Sequence, residues 1–180
     1  MKVFIYNTTS NVKDSNDKML RKCFPEEIAD KVIASKGKLI ASYELKKIKS
    51  YINGCQFYKD GIIGDYKDFE SILVPAHFSE DQLFDYCDDL AFYAIEINNI
   101  QVFEEPISIA CLDPYELPKS MNEYLYGRFN PPQSMCRARY KGEEVIVISN
   151  RPSTNALILE GSKTIEIRKT ILDCMKQYLE

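Results

Sequence analysis

The chain has 180 residues, of which 45% are hydrophobic and 28% are charged, and its formal net charge is −4. This composition supplies enough apolar surface to build the core of one compact domain. No run approaches the roughly 20 consecutive apolar residues of a membrane span, and no signal peptide opens the chain. We therefore expect a cytoplasmic protein that does not contact a membrane.

The N-terminal part of the chain predicts strands around one clear helix. Val3 to Tyr6 has the apolar pattern of a buried strand, and Pro25 to Ala34 predicts a helix that begins near its proline. Gly37 then turns the chain into Leu39 to Ile48, where alternating apolar residues predict a further strand. Residues 50–76 have weak periodicity and several glycines, which indicate loop and short helix.

The middle of the chain predicts one acidic helix and one long strand. We interpret residues from about 50 to 90 as a helical or loop insertion. Within it, Ser79 precedes three acidic or amide residues, so it is expected to be the N-cap of a helix that ends near Cys87. Phe92 to Phe103 is the clearest strand pattern, with Asn98-Asn99 as a bend or bulge.

The C-terminal part predicts a hairpin between two helices. A short helix is expected near Met121 to Tyr126. Strands from about Ser134 to Tyr140 and from Val145 to Ile148 flank Lys141-Gly142, a dipeptide typical of a hairpin turn. Asp173 to Glu180 predicts a terminal helix. Several short antiparallel strands with few helices favour an α+β fold built on a small, partly closed β-barrel with peripheral helices.

The most informative segment is a second helix–strand corner near the C-terminus. Helical spacing ends at Gly161, a residue type that often stops a helix, and Lys163 to Arg168 then alternates as a strand. The pleat would place Glu166 and Arg168 on one face and Lys163 on the other. Such charged groups can recognise a polar planar ligand, or they can form a weak ion pair on a solvated face with the lysine extended over apolar neighbours.

The octamer Gly161 to Arg168 resembles the G-x-K-T-x-E-x-R signature of the ASCH domain, which belongs to the PUA-like superfamily. Four further segments resemble successive strands of ASCH proteins, namely Lys2–Thr8, Gly37–Leu45, Phe92–Ile97 and Pro131–Cys136. In that family the signature comes before the strand that opens this chain. The order here implies a circular permutation of one ASCH-like domain over residues 1–180, with its two ends close together. Exchange of the last segment between subunits is the alternative, and the oligomeric state stays open.

The resemblance implies a PUA-like barrel that binds RNA or a modified nucleotide or nucleoside. The ligand-binding residues that it implies are Lys163, Glu166, Arg168, Tyr6, Gln133 and Ser134. Glu166 would accept a hydrogen bond from a base amino group, and Arg168 would donate to a carbonyl oxygen or a phosphate. Replacing Arg168 with alanine would then abolish binding and leave the melting temperature nearly unchanged.

A catalytic alternative follows from the same resemblance. Some small ASCH proteins are amidohydrolases that act on acetylated cytidine through a lysine, a threonine and a glutamate. Lys163 matches the lysine, and Glu96 resembles the partner glutamate. The threonine position, three residues after the lysine, is occupied by Glu166, which weakens the case for acyl transfer. The alternative function is thus an acylated-nucleoside amidohydrolase that uses Lys163 and Glu96 as catalytic residues.

The remaining chemistry-bearing residues predict neither a metal site nor a cofactor. His77 is the only histidine, and the six cysteines are widely scattered without the spacing of zinc or redox motifs. Residues 65–118 hold 13 acidic side chains and one lysine, a net charge of −12, whereas residues 1–64 and 119–169 carry +5 and +4. The acidic segment favours a third alternative, a protein-interaction module that engages a basic partner.

Overall fold

A computed structural model describes residues 1–9, 13–52, 55–58, 61–62, 70–87, 91–115 and 134–180. The backbone divides into two compact units, each made of two stretches of chain. The first unit comprises Met1–Glu44 and Asn99–Glu160, and the second comprises Leu45–Asn98 and Gly161–Glu180. The mixed α+β class expected from the sequence is confirmed. The grouping of residues 1–180 into one ASCH-like domain with an insertion stays a prediction.

Strands and helices alternate irregularly along the described residues. The strands are β1 (Lys2–Asn7), β2 (Lys38–Glu44), β3 (Ile48–Ile52), β4 (Cys55–Tyr58), β5 (Gly61–Ile62), β6 (Phe92–Glu96), β7 (Gln101–Ser108), β8 (Asp113–Pro114), β9 (Met135–Tyr140), β10 (Glu143–Asn150) and β11 (Ile165–Arg168). The α-helices are α1 (Lys13–Cys23), α2 (Glu26–Ala34), α3 (Glu70–Ala76), α4 (Glu80–Tyr86) and α5 (Pro152–Glu160). Two 3₁₀ helices cover Ile109–Cys111 and Asp173–Tyr178. None of the helices within the described residues has the length and apolarity needed to cross a bilayer.

The first unit is built on a six-stranded sheet in the order β7-β2-β1-β10-β9-β8. Its central pair, β1 and β10, runs parallel, with Tyr6 opposite Ser149. Val3, Phe4 and Ile5 are each at most 1% exposed, which explains why β1 is an unbroken apolar run rather than an alternating one. The other neighbouring strands are antiparallel. The predicted hairpin at Lys141-Gly142 joins β9 to β10, and both residues have the positive φ that its tight turn needs.

A buried polar network ties two helices of the first unit to β1. Asn7 is fully buried, and its amide nitrogen donates to the carbonyl oxygen of Val32 at 2.7 Å and to Ser35 Oγ at 3.1 Å. Its amide oxygen accepts a hydrogen bond from Asn155 Nδ2 at 2.9 Å. Val32 lies in α2 and Asn155 in α5, so one side chain at the end of β1 positions both helices.

The second unit is built on a five-stranded antiparallel sheet in the order β11-β6-β3-β4-β5. Helices α3 and α4 supply side chains to the same apolar core as the sheet. The buried members of that core are Tyr51, Ile72, Ala76, Leu83, Cys87, Phe92, Ala94 and Ile167. Strand β11 is at the edge of the sheet, and the end of α3 packs beside it.

Several predicted elements differ from the observed ones. The strand predicted over Leu39 to Ile48 is two strands, β2 and β3, which belong to different sheets. The strand predicted over Phe92 to Phe103 is likewise divided, and the chain bends at Asn99, where φ is +50°. The predicted terminal helix is a 3₁₀ helix, and the helix expected near Met121 to Tyr126 lies outside the described residues. The two edge strands of the six-stranded sheet are β7 and β8, and the described ladders do not pair them with each other. Closure of the strands into the predicted barrel therefore stays a prediction.

Candidate functional site

The charged residues of the predicted signature come together in the second unit. Glu166 and Arg168 are two residues apart on β11, and Arg168 Nη2 donates to Glu166 Oε1 at 2.8 Å. Lys163 Nζ lies 3.6 Å from Glu166 Oε2. The three side chains, which we call the ion cluster, are 3%, 9% and 10% exposed for Lys163, Glu166 and Arg168. The alternative of an ion pair on a solvated face is therefore wrong.

Lys163 reaches the cluster because the chain before β11 is not a regular strand. Its ammonium donates to the carbonyl oxygen of Ala76 at 2.6 Å, and the next amide, that of Thr164, donates to the carbonyl oxygen of Pro75 at 2.9 Å. Both carbonyls belong to the last turn of α3, where a helix lacks internal donors and carries partial negative charge. Lys163 thus caps α3 as well as pairing with Glu166, so the extended lysine on a solvated face is not observed.

The protonation of Lys163 reflects two opposing influences. Burial lowers the pKa of Lys163 below its ordinary value of 10.5, because the ammonium loses its hydration. The carboxylate of Glu166 opposes this shift in pKa, and the positive charge of Arg168 adds to it. The pKa of Lys163 is therefore lowered by burial, and Glu166 is the group that opposes this shift.

A tight turn after α3 brings an aromatic ring next to the cluster. His77 has φ of +55°, and its amide donates to the carbonyl oxygen of Val74, while the amide of Phe78 donates to that of Leu73, both at 3.1 Å. This pair of hydrogen bonds is the Schellman motif, with His77 as its left-handed residue. The turn places the ring of Phe78 so that its centre lies 5.5 Å from Lys163 Nζ. The role of His77 is therefore structural, since it forms the turn that ends α3.

The left-handed conformation of His77 gives a stability prediction. Replacing this exposed residue with glycine is expected to raise the free energy of unfolding by about 0.5–1 kcal/mol, because glycine adopts positive φ without steric cost. Urea denaturation would measure the change. Replacing His77 with alanine is the matched control and is expected to give no gain. Equal stabilities for the glycine and alanine variants would contradict the assignment.

Helix α4 supplies a second ring beside the cluster. Its predicted N-cap is confirmed, since Ser79 Oγ accepts a hydrogen bond from the amide of Gln82 at 3.2 Å. Tyr86 lies at the other end of α4, and its ring centre is 5.8 Å from that of Phe78. Lys169 Nζ lies 5.5 Å from the ring centre of Tyr86. Burial raises the pKa of Tyr86, and the nearby charge of Arg168 opposes that shift in pKa.

Phe78 and Tyr86, which we call the aromatic pair, were not predicted as site residues. A usable signal for the first of them was present in the sequence. Phe78 directly precedes the N-cap, and Leu83 follows at the fourth helical position, which is the spacing of a hydrophobic staple. No comparable local pattern marks Tyr86, because its relation to Arg168 depends on packing between distant segments.

Glu96 is placed on β6, directly opposite Ile165 of β11. Alternation along β11 puts Ile165 on the opposite face of the strand from Glu166 and Arg168. The carboxylate of Glu96 accepts a hydrogen bond from Asn98 Nδ2 at 3.4 Å. Among the described residues, Lys163 forms an ion pair with Glu166 and none with Glu96.

The other predicted ligand residues lie outside the ion cluster's unit or outside the described residues. Tyr6 belongs to the first unit, where it is 6% exposed and packs in a core with Phe4 and Leu39. Burial raises the pKa of Tyr6. Ser134 also belongs to the first unit and is exposed, and its carbonyl oxygen accepts a hydrogen bond from the amide of Ser149. Gln133 lies outside the described residues.

The chemistry that the site offers is recognition by hydrogen bonds and charge. The ammonium and guanidinium groups of the ion cluster are donors, and the carboxylate of Glu166 is an acceptor. Across the described ranges, no group of three or more histidine, cysteine, aspartate or glutamate side chains is arranged to hold a metal ion.

No protein-family model, curated protein or solved structure matches this chain.

Proposed function

We propose that this protein is a binding module for a nucleotide, either within RNA or as a modified nucleotide, and that the ion cluster is its site. The observation that carries the proposal is a buried cluster of two cationic donors around one carboxylate. Lys163 and Arg168 both contact the carboxylate of Glu166, and all three side chains are at least nine-tenths buried. Buried charged groups are costly unless they are paired and hydrogen-bonded. An anionic group of a ligand would accept hydrogen bonds from the two cations.

The hydrogen bonding of Glu166 supports the same proposal. Its Oε1 accepts from Arg168, but its Oε2 accepts no hydrogen bond from any residue that the structure describes. Lys163 Nζ, at 3.6 Å from that oxygen, is beyond normal hydrogen-bond length. A buried carboxylate oxygen without a donor costs free energy. The amino group of a nucleobase would donate a hydrogen bond to Oε2.

The proposed fold family is the permuted, PUA-like ASCH barrel that the sequence resemblance implies. Its support is local. Gly161 follows the last residue of α5 in sequence, with φ of +84°, and β11 begins four residues later. The segment that resembles the signature therefore begins at a helix-stopping glycine and ends in a strand, and its Lys163, Glu166 and Arg168 side chains come together.

Binding accounts for this geometry better than hydrolysis does. A lysine base requires a neutral amine. Burial lowers the pKa of Lys163 and so favours that form, whereas the Ala76 carbonyl and the Glu166 carboxylate favour the charged form. Glu96, the partner glutamate of the hydrolase alternative, is hydrogen-bonded to Asn98 instead. The amidohydrolase alternative thus needs Glu96 to leave Asn98 and reach Lys163, whereas the proposed binding uses the ion cluster without Glu96.

Arg168→Lys is expected to weaken the binding of a nucleotide at least about tenfold. Lysine keeps the positive charge but loses the planar fork that pairs with Glu166 and would address a carbonyl or phosphate oxygen. Calorimetric titration with the four common nucleoside 5′-monophosphates and short single-stranded RNA would measure it, and thermal melting would check the fold.

Arg137→Lys is the matched control for this experiment. Arg137 also pairs with a carboxylate, since its Nε and Nη2 lie 2.8 and 2.7 Å from Glu144 Oε1, but it belongs to the first unit. Its variant is expected to bind with wild-type affinity. An unchanged dissociation constant for Arg168→Lys, or equal losses in both variants, would remove the ion cluster from the binding site. No binding by the wild-type protein would refute the proposed function.

A further inference from the structure

We infer that Glu104, Glu105 and Pro106, which we call the guard residues, prevent strand β7 from pairing with the β7 of a second copy of this chain. The inference is independent of the proposed function, because β7 belongs to the first unit and the ion cluster to the second. Three observations carry it. Strand β7 is an exposed edge, its pairing to β2 is interrupted at the guard residues, and self-pairing would bring their carboxylates together.

Strand β7 is an edge of the six-stranded sheet and is largely exposed. Among the residues that the structure describes, it pairs with β2 and with no other strand. Val102 is 40% exposed, and Glu104 and Glu105 are exposed as well. An edge strand presents backbone N–H and C=O groups that can pair with another chain. An eight-residue edge with an exposed valine therefore favours self-association unless other features of the strand oppose it.

The guard residues lie where the pairing between β7 and β2 is interrupted. Val102 is opposite Ala41. Ile107 is opposite Leu39. One residue separates the two partners on β2, whereas residues 103–106 separate them on β7, so this part of β7 bulges. The proline in the bulge has no backbone N–H and cannot donate to a neighbouring strand.

The bulge is anchored to the core on both sides. Phe103 and Ile107 pack against the apolar core of the first unit, and the ring centre of Phe103 lies 5.6 Å from that of Phe4. The two glutamates between these anchors stay exposed. A second strand that approached this edge would therefore meet two negative charges held in place and one missing donor.

Self-pairing in full register would place like charges opposite each other. Strand β7 runs from Gln101 to Ser108, so two copies paired antiparallel around a two-fold axis put each Glu104 opposite Glu105 of the second copy. Directly opposite side chains of an antiparallel pair have Cβ atoms about 4.5–5.5 Å apart, and like charges there are destabilising. The symmetry repeats the contact. The guard residues therefore oppose the register that would pair the whole strand.

A single charge reversal tests the inference. Glu104→Lys would turn both like-charge contacts of the symmetric pair into contacts between opposite charges. The full chain with this substitution is expected to self-associate with a dissociation constant at least about tenfold lower than that of wild type at low salt. Sedimentation equilibrium would measure the association, hydrogen exchange would show new amide protection in β7, and thermal melting would check the fold.

The double reversal, Glu104→Lys with Glu105→Lys, is the matched control. It places lysine opposite lysine, so this variant by itself is expected to associate no more tightly than wild type. Mixed with wild type in equal amounts, it is expected to form a mixed pair that weakens at high salt, because the attraction is then between screened opposite charges. Equal self-association of the single and double variants would show that the charges do not prevent pairing and would overturn the inference.

Replacing the proline covers the case in which the missing donor dominates. Pro106→Val, combined with Glu104→Lys, restores a backbone N–H and introduces a residue type that strands favour. The combined variant is expected to associate more tightly than Glu104→Lys alone. If both variants keep the wild-type melting behaviour and neither associates more tightly than wild type, the guard residues are not what prevents pairing at β7.

Discussion

Replacing Glu166 with alanine is expected to lower the free energy of unfolding by about 3–5 kcal/mol, measured by urea denaturation at neutral pH. The carboxylate is the counterion of both Lys163 and Arg168, whose side chains are 3% and 10% exposed. Without it, two like charges stay buried next to each other, and Arg168 loses its acceptor at 2.8 Å. Removing one partner of a buried pair is costly for this reason.

The loss should also depend on pH in a defined direction. Glu166 raises the pKa of Lys163, so its removal leaves burial to lower that pKa further below 10.5. Between the lowered folded-state pKa and 10.5, the unfolded chain binds more protons than the folded chain, and stability therefore rises with pH. The variant is expected to regain part of its lost stability as the pH rises toward 10.5, and the comparison is made below the ordinary tyrosine pKa of 10.0.

Two further variants make the result specific. Glu166→Gln keeps the shape and an acceptor oxygen for Arg168, so its loss is expected to be smaller than that of Glu166→Ala. Glu104→Ala removes an exposed glutamate of β7 and is expected to change stability by less than about 0.5 kcal/mol. A loss below about 1 kcal/mol for Glu166→Ala, or no pH dependence relative to wild type, would contradict the cluster as described.

The same burial corrects an expectation drawn from the sequence. Alternation along the strand correctly placed Glu166 and Arg168 on one face, because that pattern is local. It could not show that the face is buried, so Arg168→Ala was expected to leave the melting temperature nearly unchanged. Because the Arg168 side chain is 10% exposed and paired to Glu166, the alanine variant is expected to be strongly destabilised.

Lys163 shows why the arrangement of the site could not be predicted. A regular strand from residue 163 would place it on the face opposite Glu166, but β11 begins only at Ile165. Its ammonium instead donates a hydrogen bond to the carbonyl oxygen of Ala76, which is 87 residues away in sequence. Periodicity carries no information about a partner at that separation, since the end of α3 and the start of β11 meet only in the folded chain.

The sheets illustrate the same limit at the level of the fold. Alternation predicted continuous strands over Leu39 to Ile48 and over Phe92 to Phe103, and it located strand residues correctly at both ends of each segment. The chain passes from one unit to the other inside each of them, after Glu44 and after Asn98. An alternating pattern reports which residues face a core, but not which sheet they join. Only the asparagine pair gave a local signal of the break.

The acidic charge of residues 65–118 favours a protein-interaction segment, but it gives no information about which of these residues build a core. In the structure, that stretch supplies Ile72, Ala76, Leu83 and Cys87 to the core of the second unit. The stretch carries exposed carboxylates on α4, and this net charge gave no indication that its apolar side chains face inward. Deletion of residues 66–89 is therefore expected to unfold this unit.

Replacing Asn7 with alanine is expected to lower the free energy of unfolding by about 2–4 kcal/mol in urea denaturation. The change removes three hydrogen bonds that tie α2 and α5 to β1, and it leaves the buried amide of Asn155 without its acceptor. Asn98→Ala is the matched control, because Asn98 is half-buried and makes one long hydrogen bond, so its loss should stay below about 1 kcal/mol. Comparable losses in the two variants would mean that the network at the end of β1 does not anchor the helices. A large loss only for Asn7→Ala would identify this side chain as the residue that joins both helices to the sheet.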